Sequence, residues 1–245
     1  MSDAELLRRR GCFVAEGRLV VERLLHSGYA VESLLLNDAS LRSLQPAVSA
    51  LSNDVPVYLC DTDDFAAITG FNLHRGCLAL AKRPAERTLM DVVQHTNLLL
   101  VLEAVTDADN IGSAFRNAAA FGARVVLSGA CCDPLYRKAI RTSMGSVLRT
   151  PYARAYDWPG DLDVLKRQGF TIVALTPREG ALDLRAYTLQ PHAHIALLVG
   201  SEGAGLSAEA EAMADVRIRI AIRADVDSLN LATATGIALH KFTSP

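Results

Sequence analysis

VRIRIAIRADVDSLNLATATGIALH, residues Val216 to His240, passes from a strand pattern through a polar segment to a helix pattern. Val216, Arg217, Ile218, Arg219 and Ile220 alternate apolar and charged side chains, the period-two signature of a strand with one buried face. Ala221 to Asp227 has two aspartates and no periodicity, which predicts a loop. Ser228 is then a good helix N-cap. From Leu229 the apolar positions Leu231, Ala234, Ile237 and Ala238 recur at helical spacing to about His240, predicting a core-facing helix of small residues. A helix start holding Ser-Leu-Asn offers orphan backbone N–H groups to a ligand. The same pattern also suits an ordinary strand-loop-helix unit of an α/β domain.

Earlier in the chain, the run Asn97 to Val101 continues through Leu102, Glu103, Ala104 and Val105. It has the near-continuous apolar character of a parallel strand covered on both faces. Further strands are predicted at Arg124–Ser128, Phe170–Leu175 and Ile195–Val199, with helical patterns between them, so the reading is an α/β domain with a mostly parallel sheet. Its ligands belong beyond the carboxyl ends of those strands. Residues 1–85 show a smaller α/β rhythm, with apolar runs at Cys12–Ala15, Val31–Leu36, Val55–Leu59 and Gly76–Ala81 and helical patterns at Gly17–His26 and Asp63–Thr69. Lys82 to Arg87 is charged, contains Pro84 and lacks periodicity, which makes it the linker candidate. The expected domains are therefore 1–85 and 92–245.

Composition narrows the function classes. Half of the 245 residues are hydrophobic, enough for real cores. A formal net charge of −2 provides no global basic field, so a polyanion must be met by local patches. Arg8–Arg10 and the group Arg137, Lys138, Arg141 and Arg149 are candidates, though a solvated helix face explains them equally well. Five cysteines, an odd count without C-x-x-C spacing, argue against a zinc site or a disulfide framework and fit a reducing cytosol. The opening MSDAELLRRR lacks the apolar core of a secretory signal. No apolar run approaches the roughly 18 residues needed to cross a bilayer. The expectation is a cytoplasmic protein that uses no membrane.

Three loops at strand ends carry unusual residues. Thr106 to Asn117 closes one strand and opens a helix bearing Asn110, Arg116 and Asn117. Arg116 sits among Ala114, Phe115, Ala118, Ala119 and Ala120, where its planar five-donor fork suits a carboxylate or phosphate. A salt bridge to Asp107, Asp109 or Glu202 would satisfy it equally. Val199 to Ser207 has glycines at 200, 203 and 205, which permit tight turns and close approach to a cofactor. The spacing is not G-x-G-x-x-G, and Ile220 stands where a ribose-binding acid would be wanted, so a nicotinamide-type site is disfavoured. A plain turn answers to the same glycines. The third loop is the opening stretch with Ser228, Leu229 and Asn230.

Together the three loops resemble the signature motifs of the SpoU (TrmH-type) branch of the SPOUT superfamily, RNA 2′-O-ribose methyltransferases that use S-adenosylmethionine. Asn110-Ile111-Gly112, Arg116-Asn117 and Phe121-Gly122 resemble the first motif. Leu198 to Leu206 resembles the second, and Ile220-Ala221-Ile222 with Asp227 to Ala232 the third. Arg141 to Ser146 also looks like family sequence. Phe13 to Gly17 with Val20, Val21 and Glu22 resembles the ribosomal-protein-like RNA-binding domain that many members carry. The third motif departs from the common pattern: Ala221 replaces a proline, and Leu231-Ala232 follows Ser-Leu-Asn in place of Val-Ser.

The resemblance implies a C-terminal trefoil-knot domain preceded by a small RNA-binding domain, acting as a homodimer on rRNA or tRNA, with rRNA favoured by the N-terminal domain. It implies catalytic roles for Arg116, Asn110, Glu202, Ser228 and Asn230, with Arg116 oriented by Glu202 and Asn110. It implies a cofactor site built mostly of backbone at Thr176, Pro177, Gly200, Ile220 and Leu229. No metal is expected, because methyl transfer from a sulfonium needs alignment more than Lewis acid. The competing reading is a non-catalytic RNA-binding or assembly protein on the same fold, with a nucleotide-dependent oxidoreductase third. Asn110, Arg116, Glu202 and Asn230 favour the enzyme. His192 and His194 lack a third ligand nearby, and Asp225 with Asp227 suits a solvated or capping role in a polar loop.

Overall fold

In the computed structural model, residues 2–61, 63–65, 76–223, 225–226 and 228–243 are described. In chain order they form α1 (Asp3–Arg10), β1 (Cys12–Glu16), α2 (Arg18–Leu25), β2 (Val31–Leu36), α3 (Asp38–Ser49), β3 (Val57–Leu59) and β4 (Cys77–Lys82). Then come α4 (Leu89–Val93), β5 (Leu98–Leu102), α5 (Ala108–Ala120), β6 (Arg124–Ser128), α6 (Arg137–Thr142) and β7 (Tyr152–Ala155). The chain ends with α7 (Asp161–Arg167), β8 (Phe170–Leu175), β9 (Leu182–Asp183), β10 (His194–Val199), α8 (Ala208–Ala212), β11 (Val216–Arg219) and α9 (Leu231–Thr243). Contacts divide the chain into two units, Met1–Ala85 with Asp133–Arg149, and Glu86–Cys132 with Thr150–Pro245. Most of the helical pattern expected over Asp63–Thr69 lies outside the described residues.

The first unit is a four-stranded sheet in the order β1-β4-β2-β3, with only β2 and β3 parallel. Val20, Val21 and Leu24 on α2 are buried at helical spacing, and Leu34 and Leu36 on β2 are buried at alternate positions. Each such side chain contributes about 1.5–3 kcal/mol on leaving water. The segment Asp133–Arg149 joins this unit through specific pairs: Asp3 caps the Arg137 N–H at 2.9 Å, and the Arg23 guanidinium donates to the Met144 carbonyl. Arg137 and Arg141 lie 3.8 Å from Glu16, so part of the basic cluster read from the sequence faces a carboxylate.

The second unit carries a seven-stranded sheet in the order β7-β6-β5-β10-β8-β11-β9. Every neighbouring pair is parallel. All five residues of β5 are buried, as are Ile195–Val199 of β10, which is what helices on both faces demand. On one face Leu99, Val101, Val126, Ile172 and Leu198 pack with Val92 of α4 and Leu162 and Leu165 of α7. On α5, Ile111, Ala114, Phe115 and Ala118 are buried, and on α9 Leu231, Thr235, Ala238 and Leu239. From β5 the chain steps outward to β6 and β7, then returns on the other side so that β10 lies between β5 and β8. The carboxyl ends of β5 and β10 thus form a switch point of the sheet, the usual ligand position in such folds.

Two strands, β7 and β9, were not anticipated. Tyr152–Ala155 is short and interrupted by Arg154, whose guanidinium is satisfied by the carbonyls of Cys131 at 3.1 Å and Cys132 at 3.4 Å. The final helix also needs correction, for it begins at Leu231 and runs to Thr243. Its cap is Asn230, whose Oδ1 accepts from the N–H groups of Ala232 at 2.9 Å and Thr233 at 3.4 Å. Ser228 makes no such bond and is exposed.

Candidate active site

Among the loops that leave the carboxyl edge of the second sheet, those following β5, β8, β10 and β11 carry the candidate residues. At the end of β5 the backbone turns sharply, with Ala104 at φ +53° and its N–H donated to Ser128 Oγ at 2.9 Å. Asp107 then caps α5 by accepting from the Asp109 N–H at 2.8 Å. This sets Asn110 in the first turns of the helix, where it is buried.

The loop after β10 folds back on itself. Gly205 donates to the Ser201 carbonyl at 3.0 Å, with Gly203 and Gly205 at φ +91° and +70°. A Cβ on Gly200 would stand 2.2 Å from the Gly205 carbonyl carbon and 2.3 Å from Leu206 N. The glycine at 200 is therefore required by the loop's own closure, and a valine there would disrupt the loop before it could fill any ligand space.

Glu202, at the tip, meets Asn230. The Asn230 amide donates to Glu202 Oε1 and to Asn110 Oδ1, both at 3.3 Å, while its carbonyl oxygen caps α9. One side chain thus joins three loops. Beside it Asn117 donates to the Ala232 carbonyl at 2.6 Å, and Gly236 gives α9 room, because a Cβ there would lie 3.3 Å from the Asn117 amide nitrogen. The small-residue helix read from the sequence has this close crossing with α5 as its reason.

Of the five residues assigned catalytic roles, the structure brings together Asn110, Glu202 and Asn230. Arg116 is exposed on α5 and pairs with none of the described residues; neither Asp107, Asp109 nor Glu202 satisfies it. Glu202 and Asn110 meet Asn230, and the arginine they were expected to orient stands apart. Asp225 is held below the ordinary carboxylate range by hydrogen bonds from the Arg223 guanidinium, its partner at 2.9 Å. That pair is an exposed ion pair within the loop. Asp227 lies outside the described residues. His194 packs edge-on to Phe170 with centroids 5.3 Å apart.

The residues assigned to the cofactor lie on the same edge. Thr176 is buried, with its N–H donated to Ile218 O at 2.9 Å, and Pro177 is exposed beside it. Gly200, Ile220 and Leu229 are half-buried. Arg178 ties two of these loops, reaching Glu211 at 2.5 Å and the Leu206 carbonyl at 3.4 Å.

A group that the sequence reading passed over is Glu103, at the exit of β5. It is 5% exposed and accepts from Trp158 Nε1 at 2.7 Å, Ser207 Oγ at 2.6 Å and Ser207 N at 2.9 Å. The available signal was a single acid closing a wholly apolar run.

The profile of the SpoU rRNA Methylase family matches residues 97–240, more than half of the chain. The chain belongs to the SpoU rRNA methylase family. The matched span of this SpoU methylase includes every residue of the Asn110–Glu202–Asn230 cluster and Arg116. An uncharacterized tRNA/rRNA methyltransferase of Mycobacterium tuberculosis is 44% identical over 232 residues, covering 94% of this chain and 80% of the relative. The 23S rRNA (guanosine(2553)-2′-O)-methyltransferase RlmP of Bacillus subtilis is 28% identical, over 93% of this chain and 87% of its own. The AdoMet-bound rRNA methyltransferase from Sinorhizobium meliloti superposes with a TM-score of 0.82 at 27% identity, covering 97% of this chain and 89% of that chain. The SpoU methylase thus shares its α/β fold and parallel sheet with solved RNA methyltransferases.

Proposed function

We propose that this RNA methyltransferase converts a ribose 2′-hydroxyl of ribosomal RNA to its methyl ether, with S-adenosylmethionine as donor. The observation that carries the reading is Asn230, which gathers Asn110 and Glu202 at the sheet's switch point, while Arg116 on the adjoining helix has no partner among the described residues. The residues proposed to hold the cofactor fit its chemistry. Ile220 and Leu229 present apolar surface for an adenine, and the backbone of Thr176, Pro177 and Gly200 offers hydrogen bonds to the polar parts. When bound, S-adenosylmethionine supplies an electrophilic methyl group on a sulfonium.

Arg116 is a poor general base, since a guanidinium does not give up its proton in a protein. It acts by pairing with an RNA phosphate and holding the ribose hydroxyl in line, so that the hydroxyl proton passes to solvent late, as the new C–O bond forms, and the arginine–phosphate pair stabilises the developing charge. Asn110 and Glu202 fix the Asn230 amide, and through its cap the start of α9. Ser228, exposed in the preceding loop, contacts RNA or cofactor. Residues 1–85 dock the RNA and about 92–245 carry the chemistry.

Ribosomal RNA is favoured because the Bacillus subtilis 23S rRNA enzyme matches this chain across both units. A homodimer is supported by the surface around Arg116, where Ala119 and Ala120 are exposed and Ile237 of α9 is 41% exposed. The test incubates the protein with methyl-labelled S-adenosylmethionine and total unmodified RNA. Transfer into rRNA is expected; stoichiometric cofactor binding with no transfer to any RNA would support the non-catalytic alternative. Mapping 2′-O-methylation in a deletion strain decides the substrate, and loss of a mark confined to tRNA would overturn the choice of rRNA.

A further inference from the structure

We propose that Glu103 is a positioning residue for the loop Gly200–Ser207, fixing where that loop ends and thereby how firmly the protein holds its cofactor. The inference rests on the reading that this loop lines the S-adenosylmethionine site.

Burying a carboxylate costs several kcal/mol unless donors replace its water. Glu103 has three, and none comes from its own strand: two belong to Ser207 and one to Trp158. An apolar residue would end β5 without that desolvation cost, so the interaction energy of the acid is directed at the loop. Ser207 is the hinge between the loop and α8, because its hydroxyl donates to Glu103 while accepting from the Ala210 N–H at 3.1 Å. The near end of the loop is held by β10 and by the Ser201–Gly205 pairing. Between these anchors lies Glu202, whose reach to Asn230 is 3.3 Å. Slack at Ser207 therefore shifts Glu202 and the Leu206 carbonyl relative to Gly200, against which Gly205 and Leu206 pack, the Leu206 carbonyl also being an acceptor of Arg178. All of these residues belong to the second unit.

Glu103→Gln keeps the shape but presents an amide N–H to one of the three donors. Affinity for S-adenosylhomocysteine by calorimetry and separate KM values for S-adenosylmethionine and RNA are measured at a temperature where circular dichroism reports the parent fold. The expected result is at least a tenfold rise in both the cofactor Kd and its KM, with the RNA KM within twofold of the parent. A merely structural role would lower the melting temperature and the active fraction and leave the cofactor KM unchanged, which would overturn the proposal. Should Glu103→Gln not fold, Ser207→Ala decides, since it removes only the hydroxyl: a threefold or greater loss of cofactor affinity supports the linkage, and parent affinity overturns it. If the parent itself binds neither ligand, the cofactor reading fails and the proposal with it, a result distinct from a variant that binds like its parent.

Discussion

Asn230→Asp isolates the donor half of the central side chain from its capping half. The substitution conserves size and keeps Oδ1 as acceptor for Ala232 and Thr233 at the start of α9. It replaces the amide that donates to Asn110 Oδ1 and Glu202 Oε1, each at 3.3 Å, by a charged acceptor facing two acceptors. Two hydrogen bonds of about 0.5–1.5 kcal/mol each are lost. At that separation two unit charges repel by about 1.3 kcal/mol in water and by more at lower dielectric; both groups are exposed, so the lower figure applies. The sum is at least about 2 kcal/mol, or roughly a 30-fold loss of turnover at pH 8. Like-charge repulsion raises the pKa of the new pair, so the penalty is complete above the ordinary carboxylate range and is relieved as pH falls and one member takes a proton. Methyl-transfer rates of variant and parent, compared from pH 8 to pH 5 with the melting temperature followed in parallel, should therefore converge towards acid. Parent-like turnover at pH 8, or a deficit that does not change with pH, would refute the role of the Asn230 amide.

Other perturbations bear on separate parts of the account. Gly200→Ala puts a methyl against backbone at 2.2–2.3 Å, and overpacking of this kind costs about 1–3 kcal/mol, so calorimetry should show a melting point lower by several degrees together with weakened cofactor binding. An unchanged melting point would mean that the loop does not close on itself as described. Ile237→Glu should convert a dimer to monomers in light scattering with each protomer still folded; a parent that is already monomeric would remove the dimer. Burial pushes the Cys77 thiol up to about 12, so at pH 8 almost none of it is thiolate. It should resist iodoacetamide in the native protein and react on unfolding, which peptide mass mapping reads directly.

The strands of the second unit were largely legible because a parallel strand buried on both faces must be apolar along its length. Arg124–Ser128 and Phe170–Leu175 stand as the alternation of apolar runs predicted. The start of α9 was misplaced because Ser228 and Asn230 have the same capping chemistry two residues apart, and the choice between them rests on Glu202 and Asn110, 28 and 120 residues away in sequence. For the same reason Glu103 passed unnoticed, since its meaning lies in Trp158 and Ser207. The assignment of Asp133–Arg149 to the first unit likewise depends on long-range pairs such as Asp3 with Arg137. Motif order located the site, but local pattern could not say that Asn230 is its centre or that Arg116 would have no partner among the described residues.

The position of the transferred methyl group distinguishes methylation of a ribose 2′-hydroxyl from methylation of a base. Parent protein and Arg116→Ala are each incubated with unmodified rRNA and methyl-labelled S-adenosylmethionine, the RNA is hydrolysed in alkali, and label is counted in alkali-stable dinucleotides, which form only where a ribose 2′-hydroxyl is blocked. The parent should place its label there, and Arg116→Ala should do so at least about 10²-fold more slowly at equal cofactor occupancy. Label recovered in mononucleotides, or an alanine variant as fast as the parent, would contradict the account.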